Sequence, residues 1–142
     1  MATLPVTVTV NDKSGVYSVA YSGSGINSSN QIKVPNGSTA NITLTLSAGT
    51  GTSSLSFATP AITWFNSSNP SIPISTPVPF TVTEESGGVT IADDNSVAAN
   101  NGTFSFLVNV LANGLLVQSP DPTIINEGTN QERQQLPPRQ AA

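Results

Sequence analysis

The sequence predicts an all-β domain, a single antiparallel immunoglobulin-like β-sandwich of about seven to nine strands. Three observations predict it. Apolar residues recur at every second position in at least five segments, the period of a strand with one buried face. Clusters of Gly, Pro, Asn and Asp interrupt these segments about every 8–12 residues. No segment carries the apolar period of an amphipathic helix. A jelly roll is the alternative two-sheet arrangement.

The elements follow in order. Val6, Val8 and Val10 alternate with Thr7 and Thr9, then Asn11, Asp12, Lys13, Ser14 and Gly15 form a turn. Tyr17, Val19 and Tyr21 alternate on the return, so the two segments read as a hairpin. Residues 22–30, rich in Ser, Gly and Asn, read as a loop, and Ile32 and Val34 mark a short strand before the Pro35-Asn36-Gly37 turn. Ala40, Ile42, Leu44 and Leu46 form the cleanest alternation in the chain. Leu55 and Phe57, then Ile62, Trp64 and Phe65, continue beyond Gly51. The prolines within residues 66–79 remove ladder donors, which restricts that stretch to an edge or a crossing loop. Phe80 and Val82 resume the pattern, and Val89 and Ile91 follow a turn at Glu84, Glu85, Ser86, Gly87 and Gly88. Residues 93–102 read as a polar loop. Phe104, Phe106, Val108 and Val110 share one face of the strongest late strand, and Asn113-Gly114 signals a hairpin into Leu115–Val117. Ile124 and Ile125 offer a last short strand. The expected organisation is a sandwich over residues 1–127 and a polar, Gln- and Pro-rich tail over 128–142 whose composition is that of a disordered segment.

Composition narrows the chemistry. A chain of 142 residues is one domain. It has no cysteine, which removes disulfides, thiolate metal sites and cysteine nucleophiles. It has no histidine, the commonest general base and metal ligand. Charged residues make up 8% of the chain, far below the usual quarter or so, and hydroxyls and amides replace them at the surface. The net charge of −4, with only Lys13 and Lys33 basic before the tail, leaves no footprint for nucleic acid or an anionic membrane. No apolar run approaches the length of a membrane-spanning helix. The start of the chain lacks the basic and apolar regions of a secretory leader, so cytoplasmic synthesis or a place in a virion is the expectation. The Asn-x-Ser/Thr triplets at Asn27, Asn36, Asn41, Asn66 and Asn101 are what chance supplies in so amide- and hydroxyl-rich a chain.

Four acidic residues are the only candidate reactive or metal-binding groups. Glu84, Glu85, Asp93 and Asp94 flank one short strand, and a hairpin that brought them together could bind calcium or serve acid–base chemistry. No enzyme activity and no cofactor is expected. Trp64 and Phe65 are consecutive and point to opposite faces of a strand, so one meets the core and the other faces outward. Trp64 is favoured for the core; were either ring exposed, it could stack on a sugar. Leu107 and Leu111 fall on the face opposite Phe106 and Val108 and are expected to look outward, as a partner surface would.

The segment Ser119-Pro120-Asp121-Pro122-Thr123-Ile124-Ile125-Asn126-Glu127-Gly128 resembles the end of the small bacterial DP-EP family, named for its Asp-Pro and Glu-Pro dipeptides. Asp121-Pro122 supplies the first dipeptide, and Glu127 is followed by glycine in place of the second proline. The resemblance implies a sandwich-like fold and no particular chemistry. The expected function is a non-catalytic structural or interaction module, such as a coat, filament or decoration subunit, with a homo-oligomer or larger protein assembly as partner. A carbohydrate-binding module is the second reading, and an acid-dependent enzyme the third.

Overall fold

The structure is a computed structural model that describes residues 2–66, 69, 72–85, 87–118 and 122–128. Two sheets pack face to face. One contains β1 (Ala2–Lys13), β2 (Val16–Ser22), β4 (Ser38–Ala48), β7 (Phe80–Glu85) and β8 (Gly88–Asn95) in the order β2-β1-β4-β8-β7. The other contains β3 (Gln31–Val34), β5 (Leu55–Phe65), β6 (Pro73–Ile74), β9 (Gly102–Ala112) and β11 (Thr123–Asn126) in the order β3-β11-β9-β5-β6, with β10 (Leu115–Gln118) also paired to β9. The core lies between the sheets and is built from the alternating positions themselves: Val6, Val8 and Val10 of β1, Ile42 and Leu44 of β4, Val89 and Ile91 of β8, and Phe106, Val108 and Val110 of β9 are all buried.

The sandwich agrees with the sequence pattern, and two details differ. Eleven strands are present among the described residues, against seven to nine expected; the one not read from the pattern is β6, two residues within the proline-rich stretch and too short for alternation to register. The sheets are mixed and not purely antiparallel. β1 pairs antiparallel with β2 but parallel with β4, Ala2 opposite Ala40 through Val10 opposite Ala48. β11 pairs parallel with β3. The cause is a crossover: after the β1–β2 hairpin the chain passes to the other sheet as β3 and returns as β4 beside β1, which is the kind of connection parallel neighbours require.

The turns obey local chemistry. Ser14 and Gly15 have φ of 54° and 86°, and Asn113 and Gly114 have 50° and 83°, the two left-handed residues that match hairpin twist. Asp12 Oδ1 accepts the Gly15 N–H at 2.8 Å. Gly25 is required for a different reason: a Cβ there would stand 2.6 Å from the Leu4 carbonyl carbon. Within the proline-rich stretch, Pro73 and Ile74 form a strand at a sheet edge, paired with Phe65 and Trp64. The tail, from residue 129 onward, lies outside the described residues, as does Asp121.

Burial sets the mutational expectation. Ile91 is fully buried between the sheets, whereas Val78 is 92% exposed. Ile91→Ala is expected to lower the unfolding free energy in urea by about 2–5 kcal/mol. Val78→Ala is expected to change it by no more than about 0.5 kcal/mol.

Candidate functional site

The four acidic candidates do not converge. β7 and β8 form an antiparallel hairpin in which Glu84 faces Val89 while Asp93 faces Phe80. The two acid pairs therefore sit at opposite ends, four residues or about 13 Å apart along the strand. Among the described residues no three acidic, His or Cys side chains are grouped to hold a metal ion. The expected loops are also strands: β7 runs through Glu85 and β8 through Asn95. The period-two reasoning stopped too early at Ile91. Asp93 and Asn95 continue the inward phase of Val89 and Ile91, and both are buried.

That inward phase builds a polar end to the sandwich. Asn95 Nδ2 donates to the carbonyls of Val34, Pro35 and Glu127, each at 3.1 Å. Asn95 Oδ1 accepts from Asn101 Nδ2 at 2.7 Å. Asn126 Nδ2 donates to Asp93 Oδ1 and to the Asn100 carbonyl, both at 2.9 Å. Asp93 Oδ2 and Asn126 Oδ1 are buried without a hydrogen-bond partner. Burial pushes the Asp93 carboxyl up to about 6; the Asn126 hydrogen bond opposes this and neighbouring Asp94 adds to it. A proton on Asp93 makes one orphaned oxygen a donor. Asp94 is exposed, and its carboxyl is held below the usual range by hydrogen bonds from the Ser96 hydroxyl and N–H.

The opposite end is open. A cleft of about 610 Å³ lies between the sheets, walled by Leu46, Leu55, Phe57 and Val89, with Glu84 and Glu85 at its rim. Its shape comes from β5, whose register against β9 breaks between Phe57 and Ile62. This bulge brings Ala61 to β7, where its N–H donates to Glu84 Oε2 at 3.1 Å. On the outer side of the sheet, Asn109 faces the bulge. Its Nδ2 donates to the Pro60 carbonyl at 3.1 Å and to Thr63 Oγ1 at 2.8 Å.

The aromatic pair divides as its adjacency requires. Trp64 is 2% exposed and stacks on Phe80 with ring centroids 4.6 Å apart, while Phe65 is half-buried on the outer face. Trp64 thus presents no face to a sugar or a partner, which corrects its inclusion among the contact residues. Leu111 lies outward and exposed, and Leu107 is half-buried on the same face. Leu116, not singled out from sequence, stands directly opposite Leu111 across β9 and β10.

A family model, the DP-EP family, matches residues 2–128. The chain belongs to the DP-EP family. A comparison with curated proteins gives no match. The likeness to the DP-EP family thus extends well beyond residues 119–128. Within the DP-EP domain, Pro122 and Glu127 flank β11. The Pro122 carbonyl accepts the Phe106 N–H at 3.2 Å, and the Glu127 N–H donates to the Val34 carbonyl at 2.9 Å. In this DP-EP chain both positions serve to dock β11 in its sheet.

Asp93 gives the domain a signed pH dependence. Its folded value, about 6, lies above its ordinary 3.8, so the folded state binds this proton more tightly than the unfolded chain. The stabilisation is complete below about pH 3.8 and is lost as pH rises through about 6. Relative to Asp93→Asn, the wild type is expected to lose up to about 3 kcal/mol of unfolding free energy across this window. Urea titrations of both proteins at several pH values measure the difference, and equal slopes would contradict the assignment.

Proposed function

We propose that the domain is a non-catalytic interaction module that self-associates through the outer face of β9 and β10. The observation that carries this reading is the leucine pair there. Leu111 and Leu116 are 39% and 59% exposed and are register partners on that face. Exposed leucines that adjoin one another, unlike scattered ones, mark an association surface.

A second copy of the chain is the partner that fits. With 8% charged residues and a net charge of −4, two copies meet with little electrostatic repulsion. Among the described residues β10 has one strand partner, β9. Its other edge can pair antiparallel with β10 of a second copy about a twofold axis, which brings the leucines of both copies together. The non-catalytic part of the reading is supported by the absence of His and Cys and by the separation of the two acid pairs. The burial of Trp64 favours this reading over sugar binding.

Light scattering coupled to size exclusion tests the proposal. The wild type is expected to run as a dimer or larger species. Leu111→Ser with Leu116→Ser is expected to weaken association by roughly tenfold per leucine while leaving the circular dichroism unchanged. A wild type that stays monomeric at high concentration would remove the idea.

A further inference from the structure

The two orphaned oxygens of the polar end belong to one hydrogen-bonded pair, and a single proton satisfies both. We infer that Asp93 and Asn126 form a proton-operated latch between the sheets. With a proton on Asp93, its Oδ2–H donates to Asn126 Oδ1 while Asn126 Nδ2–H donates to Asp93 Oδ1, which closes an acid–amide ring. Without that proton only the second of these bonds remains. The latch does not depend on the leucine face of β9 and β10.

The identity of the orphaned atoms carries the argument. Asp93 lies on β8 in one sheet and Asn126 on β11 in the other. Both residues are 2% exposed. Asn126 Nδ2 already spans the gap to Asp93 Oδ1 at 2.9 Å. The atoms left over are the second oxygen of that carboxyl and the oxygen of that same amide. A carboxyl and a carboxamide are planar, and each presents two polar atoms along one edge. A neutral acid has one donor and one acceptor to match the amide's acceptor and donor, whereas a carboxylate has acceptors only. The orientation of the amide is fixed, because Nδ2 also donates to the Asn100 carbonyl at 2.9 Å. Turned end for end, Oδ1 would face that carbonyl and an Asp93 oxygen together.

Other occupants fit the pair less well. A cation between the oxygens needs several further oxygen ligands. The neighbouring acceptors are engaged: Asn95 Oδ1 takes Asn101 Nδ2, and the Val34, Pro35 and Glu127 carbonyls take Asn95 Nδ2. A water between the oxygens would splay two groups that the existing bond holds in contact.

The surroundings favour the neutral acid. Phe80 of β7 and Ala40 of β4 are the strand neighbours of Asp93. The charged group acting on it is Asp94 of the same strand, which disfavours a second negative charge. Lys33 of β3 lies on the outer face, between buried Ile32 and Val34, and Glu127 follows Asn126 beyond the end of β11. Burial raises the Asp93 carboxyl to about 6, so the latch is closed below that pH and open above it. Asn95 joins the same two sheets through an amide that does not titrate. This end of the sandwich thus combines a permanent tie with a conditional one.

Nuclear magnetic resonance on the isotope-labelled full chain tests the latch. The carboxyl carbon of Asp93 and the side-chain carbonyl carbon of Asn126 are expected to titrate together, with a common midpoint at about 6. The side-chain amide protons of Asn126 are expected to be protected from exchange roughly tenfold more strongly below the midpoint than above it. Asp93→Asn places an N–H where the acid carries its proton, so it is expected to keep the ring closed throughout and to abolish the titration of Asn126. An Asp93 carbon that titrates in the ordinary carboxylate range would overturn the inference. Asn126 signals that stay still while Asp93 titrates would do the same, because the proton would then be donated elsewhere. So would an Asn126 titration that survives in Asp93→Asn.

Discussion

The hydrogen bonds of Asn95 hold the two sheets together at one end of this sandwich. Its side chain leaves β8 in one sheet and reaches carbonyls at the end of β3 and just beyond β11 in the other. A buried amide is costly unless satisfied, and a satisfied one tolerates no rearrangement of its partners. Asn95 is fully buried, with donor and acceptor both engaged. The geometry of β3, β11 and β8 is therefore fixed at this end by directional bonds. Through the rest of the core the sheets meet through apolar packing. Asn126 and Asp93 extend the same polar layer at the cost of two unpartnered oxygens. The Asp93 carboxyl sits there beside Phe80, which faces it across β7 and β8, and this apolar setting is what raises its proton affinity.

At the other end the polar bonds are less deeply buried: Asn113 Nδ2 donates to Tyr17 Oη at 3.4 Å and to the Gly51 carbonyl at 3.1 Å, and Thr52 Oγ1 donates to the Val10 carbonyl at 2.9 Å. There β5 bulges, and a single hydrogen bond from Ala61 to Glu84 crosses to the facing sheet at that point. Of the apolar side chains that line the cleft, Leu46, Leu55 and Phe57 are half-buried and Val89 is buried at its base. The leucine face of β9 and β10 lies elsewhere, on the outer surface of the sheet.

Much of this architecture was legible in the sequence. Alternation placed Val6, Val8, Val10, Ile42, Leu44, Phe106 and Val108 in the core, and adjacency placed Trp64 and Phe65 on opposite faces. The Asn113-Gly114 and Ser14-Gly15 turns were readable because only a few residues accept their backbone angles. Strand direction was not readable, since a period of two fixes the face of a residue and says nothing of its neighbour's direction; the parallel β1–β4 pair is the result. The polar clamp was hidden by a compositional habit. Asp93 and Asn95 keep the phase of Val89 and Ile91, yet Asp and Asn in a row read as a loop. Asn126, in phase with Ile124, was missed for the same reason. The cleft had no local signature, because residues 46, 57 and 84 meet only through the tertiary fold.

Buried amides hold one end of the domain, and the cleft end is held less firmly. Native-state hydrogen exchange measures this difference directly. The amides of Gly37 and Glu127, which bond to the Asn95 and Val34 carbonyls at the clamped end, are expected to exchange only through global unfolding. The amide of Ala61, bonded to Glu84, is expected to exchange through a local opening that costs at least about 2 kcal/mol less. Equal protection at the two ends, or faster exchange at Gly37 and Glu127 than at Ala61, would contradict the account.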